Sequence, residues 1–495
     1  MSTATSESIA YQKALDWIRS GPKRLLIGGE WVPAKSGKTL DTINPATEEV
    51  LCQLAEGDRT DVDVAVAAAR RAFEAASWAG ISPHARTRAL LKIADALDRH
   101  AEELAAIDTL DIGMPRWYSG AIAAGTGDIF RYYAGWPSKI FGTTNPSDST
   151  GFMYTLREPL GVCGQIIAWN VPLSMACIKI ATALATANTV VLKPAELASL
   201  STLRLAELIN STGLPPGVVN VVTGYGPTVG AALSEHPDVD KIAFTGSTAV
   251  GKQILNASTG NLKHVTLELG GKAPNIIFPD ADLEKALQAS VRTFCGNSGQ
   301  VCSAGTRLFV HESLHDEVVE RVGKIAATYK VGSPLDPDTK LGPLISARQL
   351  ERVMSYIDSG RQSGATLSVG GSRVGNKGFF VEPTVFSAVD NSAKIAQEEI
   401  FGPVLSVIPF KDEDDAVFKG NDTTYGLSAA VWTKDIARAH KVARALKSGR
   451  VWINAFGDAD PVMPFGGYKQ SGLGREFGAE SIEAYTQTKA VLVKF

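Results

Sequence analysis

Between residues 161 and 269, short apolar runs alternate with segments whose apolar residues recur every three or four positions. These two periods separate buried strands from helices. The spacing predicts strands near 162–168, 189–193, 218–222, 241–245 and 264–269, and helices near 173–187, 199–212, 226–234 and 248–256. Runs such as TVVLK and KIAFT are apolar without alternation, as expected of strands covered on both faces. Five strands joined by helical crossovers imply an open, mostly parallel sheet. Ligands of such sheets sit outside the carboxyl ends of the strands.

The same alternation returns between 271 and 470 with different sequences. APNIIF (273–278), TRLFVH (306–311), VLSVIPF (404–410), GLSAAVW (426–432) and RVWIN (450–454) read as strands of a second α/β unit. Upstream, residues 1–60 read as a lead-in containing a short hairpin around IGGEWVPA (27–34) and SGK (36–38). Helical periodicity begins at Asp61, and Ser82-Pro83 has the form of an N-cap followed by proline at the first helical position. Residues 138–158 place turn chemistry, NPSDSTG, between two strand-like runs and predict a projecting hairpin. The tail KAVLVKF is a short apolar strand, which needs a neighbour to cover its edge.

Composition narrows the class. Of 495 residues, 44% are hydrophobic and 20% charged, enough to bury a large core. The net charge of −3 supplies no basic excess for nucleic acid or an anionic membrane. Five scattered cysteines (52, 163, 177, 295 and 302) without CxxC spacing fit a reducing compartment, and the first residues lack the pattern of a secretory signal, so a cytoplasmic location is expected. Leu160 to Ile178 is long and apolar enough to mimic a membrane span, but Gln165, Asn170 and Pro172 interrupt it. It reads instead as a buried strand running into a buried helix.

Several residues could carry chemistry. Cys302, in GNSGQVCSAGTR, lies between close glycines just before a predicted strand, where a thiol is accessible and its backbone N–H is free. A buried structural cysteine is the competing reading. Glu268, in HVTLELGGK, ends a strand; a solvated strand-end glutamate is its alternative. Asn170, in QIIAWNVP, could donate to a developing oxyanion or simply cap a helix. Lys193 and Glu196, in VVLKPAE, could bind ribose hydroxyls or form a surface ion pair. A carboxylate there would repel a 2′-phosphate and favour NAD over NADP. In AFTGSTAVGK, Gly246 and Ser247 open a helix in the manner of a phosphate site, though neither this run nor GYGPTVG is GxGxxG. EEIFGP offers Glu399 and Phe401, and FGGYKQSGLGREFG (465–478) is a glycine-rich connection; loop structure would account for both. No His/Cys/Asp/Glu cluster has metal-ligand spacing, so no metal is expected.

Taken in order, WNxP, KPAE, FTGS, LELGGK, GQVC, EEIFGP and PFGGYKQSG resemble the aldehyde dehydrogenase superfamily, in particular its hydrolytic NAD-linked branch, over nearly the whole chain. The resemblance implies a five-stranded Rossmann-like cofactor domain (1–137 and 159–270), an α/β catalytic domain (271–470) and an oligomerisation arm made of the 138–158 hairpin and residues 480–495. It implies that Cys302 attacks an aldehyde, that Asn170 and the Cys302 N–H hold the oxyanion, and that Glu268 activates water to hydrolyse the thioester. Trp169, Lys193, Glu196, Gly246, Ser247, Glu399 and Phe401 match positions that hold NAD, and Glu476 a carboxylate on a proton path.

Val171, Ser174, Ile178 and Gly296 are smaller than the pocket residues of many relatives; with Val301 and Ser303 they would admit a bulky apolar or aromatic aldehyde. No arginine is evident beside Cys302 to pair with a substrate carboxylate. Asp458 and Asp460 offer the alternative of a cationic aldehyde such as an aminoaldehyde. Transfer of the acyl group to coenzyme A is disfavoured, since family members with that activity generally lack the glutamate present at 268. Reuse of the fold without catalysis is disfavoured by the intact set of Cys302, Asn170 and Glu268.

Overall fold

The computed structural model describes residues 6–146, 151–458 and 460–495. Its first sheet has eight strands, five of which form the parallel core predicted from the sequence. These are Val162–Ile166, Thr189–Lys193, Val219–Val221, Lys241–Thr245 and His264–Glu268. Numbered by sequence, they lie in the order 3-2-1-4-5, so the chain reverses direction across the sheet between Val162–Ile166 and Lys241–Thr245. A crevice at that reversal is where ligands of doubly wound sheets bind. The register pairs Phe244 with Ile166 and Thr245 with Glu268, so the carboxyl ends finish side by side.

The three further strands are antiparallel additions at the edges. Leu25–Ile27 pairs with Val219–Val221 through Leu26 and Val221, and folds back on Glu30–Val32 through the expected hairpin. At the other edge Gly472–Leu473, from the glycine-rich connection, pairs with the end of His264–Glu268. Pairing of this kind removes an exposed strand edge.

The second sheet has seven strands, all parallel except Thr366–Val369 at one edge. That strand and its neighbour Thr384–Ser387 had not been anticipated from the sequence. A helix, Ser6–Arg19, occupies what had read as a plain lead-in. Its Ala10, Ala14 and Ile18 are buried at four-residue intervals, and Trp17 Nε1 donates to Glu207 at 2.8 Å. The helix Pro83–Asp111 starts as expected, with the Ser82 hydroxyl accepting from the Ala85 N–H at 3.2 Å.

The apolar stretch from Leu160 resolves into the strand Val162–Ile166 and the helix Pro172–Ala185, both buried. Among the described residues, no helix is long and apolar enough to cross a membrane. Gly151–Pro159 pairs along its length with the C-terminal strand Thr486–Lys494, from Lys494 opposite Gly151 to Thr486 opposite Pro159, and Thr144–Asn145 adds a third strand. The neighbour that the tail required is thus the chain's own arm. The tip of the predicted hairpin, 147–150, lies outside the described residues.

Candidate active site

The carboxyl edge of the first sheet carries most of the residues singled out above. Trp169 and Asn170 follow its first strand, Lys193 ends the second, Gly246 and Ser247 follow the fourth, and Glu268 ends the fifth. Trp169, Asn170, Glu196, Gly246, Ser247 and Glu268, with Cys302, Glu399 and Phe401, line a cleft of about 530 Å³, which Lys193 reaches only through Glu196.

The second sheet meets the cleft with its amino ends. Cys302 precedes Arg307–His311, Glu399 and Phe401 precede Val404–Phe410, and Gly270 and Gly271 precede Pro274–Ile277. The loop before Cys302 is tightly wound: Asn297, Ser298 and Gly299 all have positive φ, at +46°, +56° and +73°. Two of the three carry side chains, in a region L residues rarely occupy, and such strain persists only where surroundings enforce it. Here the Ser298 hydroxyl donates to Gly342 O at 2.7 Å, and Gln300 Oε1 accepts from the Ile345 N–H at 2.9 Å. Gly271 allows the loop to close in, since a Cβ on it would lie 2.4 Å from Cys302 O.

Asn170 bridges the two edges. Its Nδ2 donates to Gln300 O at 2.8 Å, while its carbonyl accepts from Asn297 Nδ2 at 2.7 Å. It does not cap the following helix, whose N-cap is Val171 with no side-chain bond. An amide carries two hydrogens, so one remains for a ligand oxygen. Val301 O accepts from the Ala304 N–H at 3.1 Å, and Ser303 O from the Ser428 hydroxyl at 3.1 Å, fixing the backbone on either side of the sulfur.

Electrostatics make the site reluctant to ionise. Burial, with the charges of Glu399 and Glu268, pushes the Cys302 thiol up to about 12. Burial and the neighbouring Glu476 hold the Glu268 carboxyl well above its ordinary range. Glu268 is 4% exposed, and neither of its oxygens has a hydrogen-bond partner among the described residues, so it is not a solvated strand end. An unpartnered buried carboxyl is costly to maintain. Glu476 forms a buried ion pair with Lys179, from the helix Pro172–Ala185.

On the cofactor side, Lys193 Nζ donates to Glu196 Oε2 at 2.8 Å, and the lysine is buried rather than superficial. Ser247 caps the helix Thr248–Ala257, accepting from the Val250 N–H at 3.3 Å. Gly246 is required by a neighbour, since a Cβ there would strike the Phe244 ring at 2.4 Å. Glu399 accepts from the Gly271 N–H at 3.1 Å, and burial pushes its carboxyl up to about 7. Trp169 and Phe401 meet edge to face with centroids 5.1 Å apart. Phe401 has φ +61°, and Gln349 Nε2 donates to its carbonyl at 2.8 Å.

Val171, Ser174 and Ile178 share one side of the helix Pro172–Ala185, as their spacing requires. Gly296 does not leave a void: a Cβ there would lie 3.3 Å from the ring of Tyr118, which comes from the helix Arg116–Ala134. Asp458 lies apart from the cleft, in a depression with Arg292 and Phe456, its side chain 75% exposed and 3.9 Å from the Arg292 guanidinium. Sequence reasoning missed Tyr118 and Arg292, and also Met175, Ile345, Gln349 and Arg352, which line the cleft. Tyr118, Arg292, Gln349 and Arg352 come from helices without motifs, Met175 from the helix that follows WNVP, and Ile345 from the turn before Ala347–Gln362, and nothing in their own residue types marks them.

A switch-point crevice facing a cysteine, an amide donor and a buried carboxylate defines an α/β enzyme built to hold a dinucleotide-sized ligand beside a thiol. The chain belongs to the aldehyde dehydrogenase family, whose model matches residues 31–491. It is 49% identical over 476 residues to aldehyde dehydrogenase 1A1 of Equus caballus, covering 95% of each chain. The fold superposes with a TM-score of 0.96 on the NAD+ complex of an aldehyde dehydrogenase from Bacillus cereus, at 47% identity over 97% of this chain and 98% of that one. Betaine aldehyde dehydrogenase from Staphylococcus aureus, in complex with NAD+, gives a TM-score of 0.96 at 40% identity, over 98% of this chain and 97% of that one. Among the described residues, no group of three or more His, Cys, Asp or Glu side chains is placed to hold a metal.

Proposed function

We propose that the protein oxidises an aldehyde to a carboxylic acid with NAD, through a thioester on Cys302 that water hydrolyses. The observation that carries this reading is the placement of Cys302 in one cleft with the Asn170 amide and the buried, unpartnered Glu268 carboxyl. The cleft fits the cofactor: it lies at the topological switch point, with the Lys193–Glu196 pair for a ribose and the Ser247 helix start for a phosphate. Glu196 would repel a 2′-phosphate. When bound, NAD supplies the hydride acceptor and a positive ring charge.

The chain's own residues do the rest. The Cys302 thiol gives its proton to water in the cleft, the resulting thiolate forms a bond to the carbonyl carbon, and the oxyanion so formed is offered the free Asn170 hydrogen and the Cys302 N–H. One such donor is typically worth about 3 kcal/mol in the transition state. An anionic tetrahedral adduct releases hydride more readily than the aldehyde, so covalent attack divides one hard step into two easier ones. Glu268 then takes a proton from the water that attacks the thioester, and the acid leaves as the sulfur regains its charge. Glu476 and Lys179 lie beyond Glu268 as an onward route for that proton.

A bulky apolar or aromatic aldehyde remains the preferred substrate class, with Val171, Ser174, Ile178, Val301 and Ser303 along its path. The cationic alternative is weakened at Asp458, whose charge is offset by Arg292. The three-stranded arm serves assembly of a homo-oligomer. Incubation with aldehyde and NAD, acid quench and mass spectrometry of the peptide carrying Cys302 tests the mechanism. An acyl adduct at that sulfur is expected, and its absence under single-turnover conditions overturns the reading.

A further inference from the structure

Arg348 is the second residue of the helix Ala347–Gln362, and its exposed side chain lines the cleft. The helix is fixed against the loop that carries Glu399 and Phe401. Gln349 Nε2 donates to Ile400 O at 3.2 Å and to Phe401 O at 2.8 Å, and Arg352 donates to Glu399 O at 2.6 Å. Arg348 is therefore presented to the cleft from a held base. Among the described residues its guanidinium has no hydrogen-bond, ion-pair or aromatic partner. A positive charge in the first turn of a helix works against the helix macrodipole, so the helix itself does not account for this residue.

The charge around the cleft is unbalanced. Glu196, Glu268 and Glu399 are among its walls, and among the described residues its lining cations are Arg348 and Arg352. Arg352 is already engaged, since besides Glu399 O it donates to the Tyr356 hydroxyl at 3.3 Å and lies 5.1 Å over that ring. The pyrophosphate of a dinucleotide brings two negative charges, and the helix start at Ser247 offers about half a positive charge against them. A free guanidinium adds a full charge, and its forked N–H groups match phosphate oxygens.

We propose that Arg348 binds the pyrophosphate of NAD, so that the second α/β unit holds the phosphates together with the Ser247 helix start of the first. This rests on the reading that NAD occupies this cleft.

The test is binding without turnover: calorimetric titration with NAD of the natural enzyme, Arg348→Gln and Arg348→Lys, at low and at about 0.2 M salt. At low salt Arg348→Gln should weaken NAD binding by about tenfold, and Arg348→Lys, which keeps the charge, by less. The affinity of the natural enzyme should fall with salt more steeply than that of Arg348→Gln, because only the natural enzyme has this pair of charges to screen. A structural defect would weaken binding without changing that slope. An affinity in Arg348→Gln within about twofold of the natural value, or a loss with unchanged salt dependence, overturns the assignment of Arg348 alone. Failure of the natural enzyme to bind NAD at either salt concentration overturns the cofactor reading as well.

Discussion

The cleft lies between two sheets that offer it opposite ends. The first contributes carboxyl ends of parallel strands, where Trp169, Lys193, Gly246, Ser247 and Glu268 stand in regular succession. The second contributes loops that enter the amino ends of its strands, and these carry Cys302, Glu399 and Phe401. The first edge is ordinary in its backbone. The second holds Asn297, Ser298 and Phe401 in left-handed conformations, the first two tied by their own side chains to Asn170 O and Gly342 O and the third by Gln349 Nε2 to its carbonyl. The contrast assigns different work to each: strand ends in register give a rigid floor for a large ligand, while a wound loop aims one sulfur.

The largest effects should come from the wound edge. Cys302→Ala should lower NADH formation on the order of 10⁴-fold or more, because no second thiol lines the cleft among the described residues. Turnover near the natural rate would sink the nucleophile assignment. Glu268→Gln, at the opposite edge, should slow steady turnover by about 10²- to 10³-fold and yet spare a first burst of NADH, since it removes the base for hydrolysis rather than the attack. A lost burst would mean that the two edges do not divide the reaction in this way.

A smaller change can separate the edges by geometry alone. An Ala Cβ at Gly271 would meet Cys302 O at 2.4 Å, and backbone on both sides leaves the loop to move. Displacing a nucleophile by about 1 Å typically costs about 10²-fold in rate. Gly271→Ala should therefore reduce kcat on that scale with little change in KM for NAD. Gly246→Ala meets the Phe244 ring instead and should act mainly on KM for NAD. Equal effects on both constants from both variants would erase the distinction.

The same division explains what could be read from the sequence. The five parallel strands were legible because strands buried on both faces write continuous apolar runs, and Glu268 and Lys193 followed as strand ends. Cys302 was legible as a residue before a strand. Its approach was not: of the three left-handed residues 297–299, only Gly299 announces itself, and the conformation of Asn297 and Ser298 is imposed by Asn170 O and Gly342 O. The pocket volume inferred from Gly296 failed for a similar reason, since Tyr118 fills it from a separate helix. The added strand Leu25–Ile27 and the edge strand Gly472–Leu473 are too short to write a period at all.

Buried carboxylates sharpen the comparison at its weakest point. Glu268 lies at a strand end facing the cleft; Asp108 lies in the helix Pro83–Asp111, is 1% exposed, and its Oδ1 has no hydrogen-bond partner among the described residues. Burial pushes Asp108 up to about 7 and Asp111, which accepts from the Leu200 N–H at 3.0 Å, up to about 6. Their ordinary value is near 4, so across the interval the folded chain binds more protons than the unfolded one. Stability is then greatest below pH 4 as far as these groups are concerned, and their contribution is lost as pH rises through about 6 and 7. Asp108→Asn removes one of the two titrations. Measured by urea unfolding at pH 5 and pH 8, it should shrink the loss of stability between them by on the order of 1–3 kcal/mol. Turnover per folded enzyme should keep its natural pH profile, because Asp108 is not at the strand ends that face the ligand. An altered profile would place this carboxylate in the working half of the molecule, and the division between the edges would no longer hold.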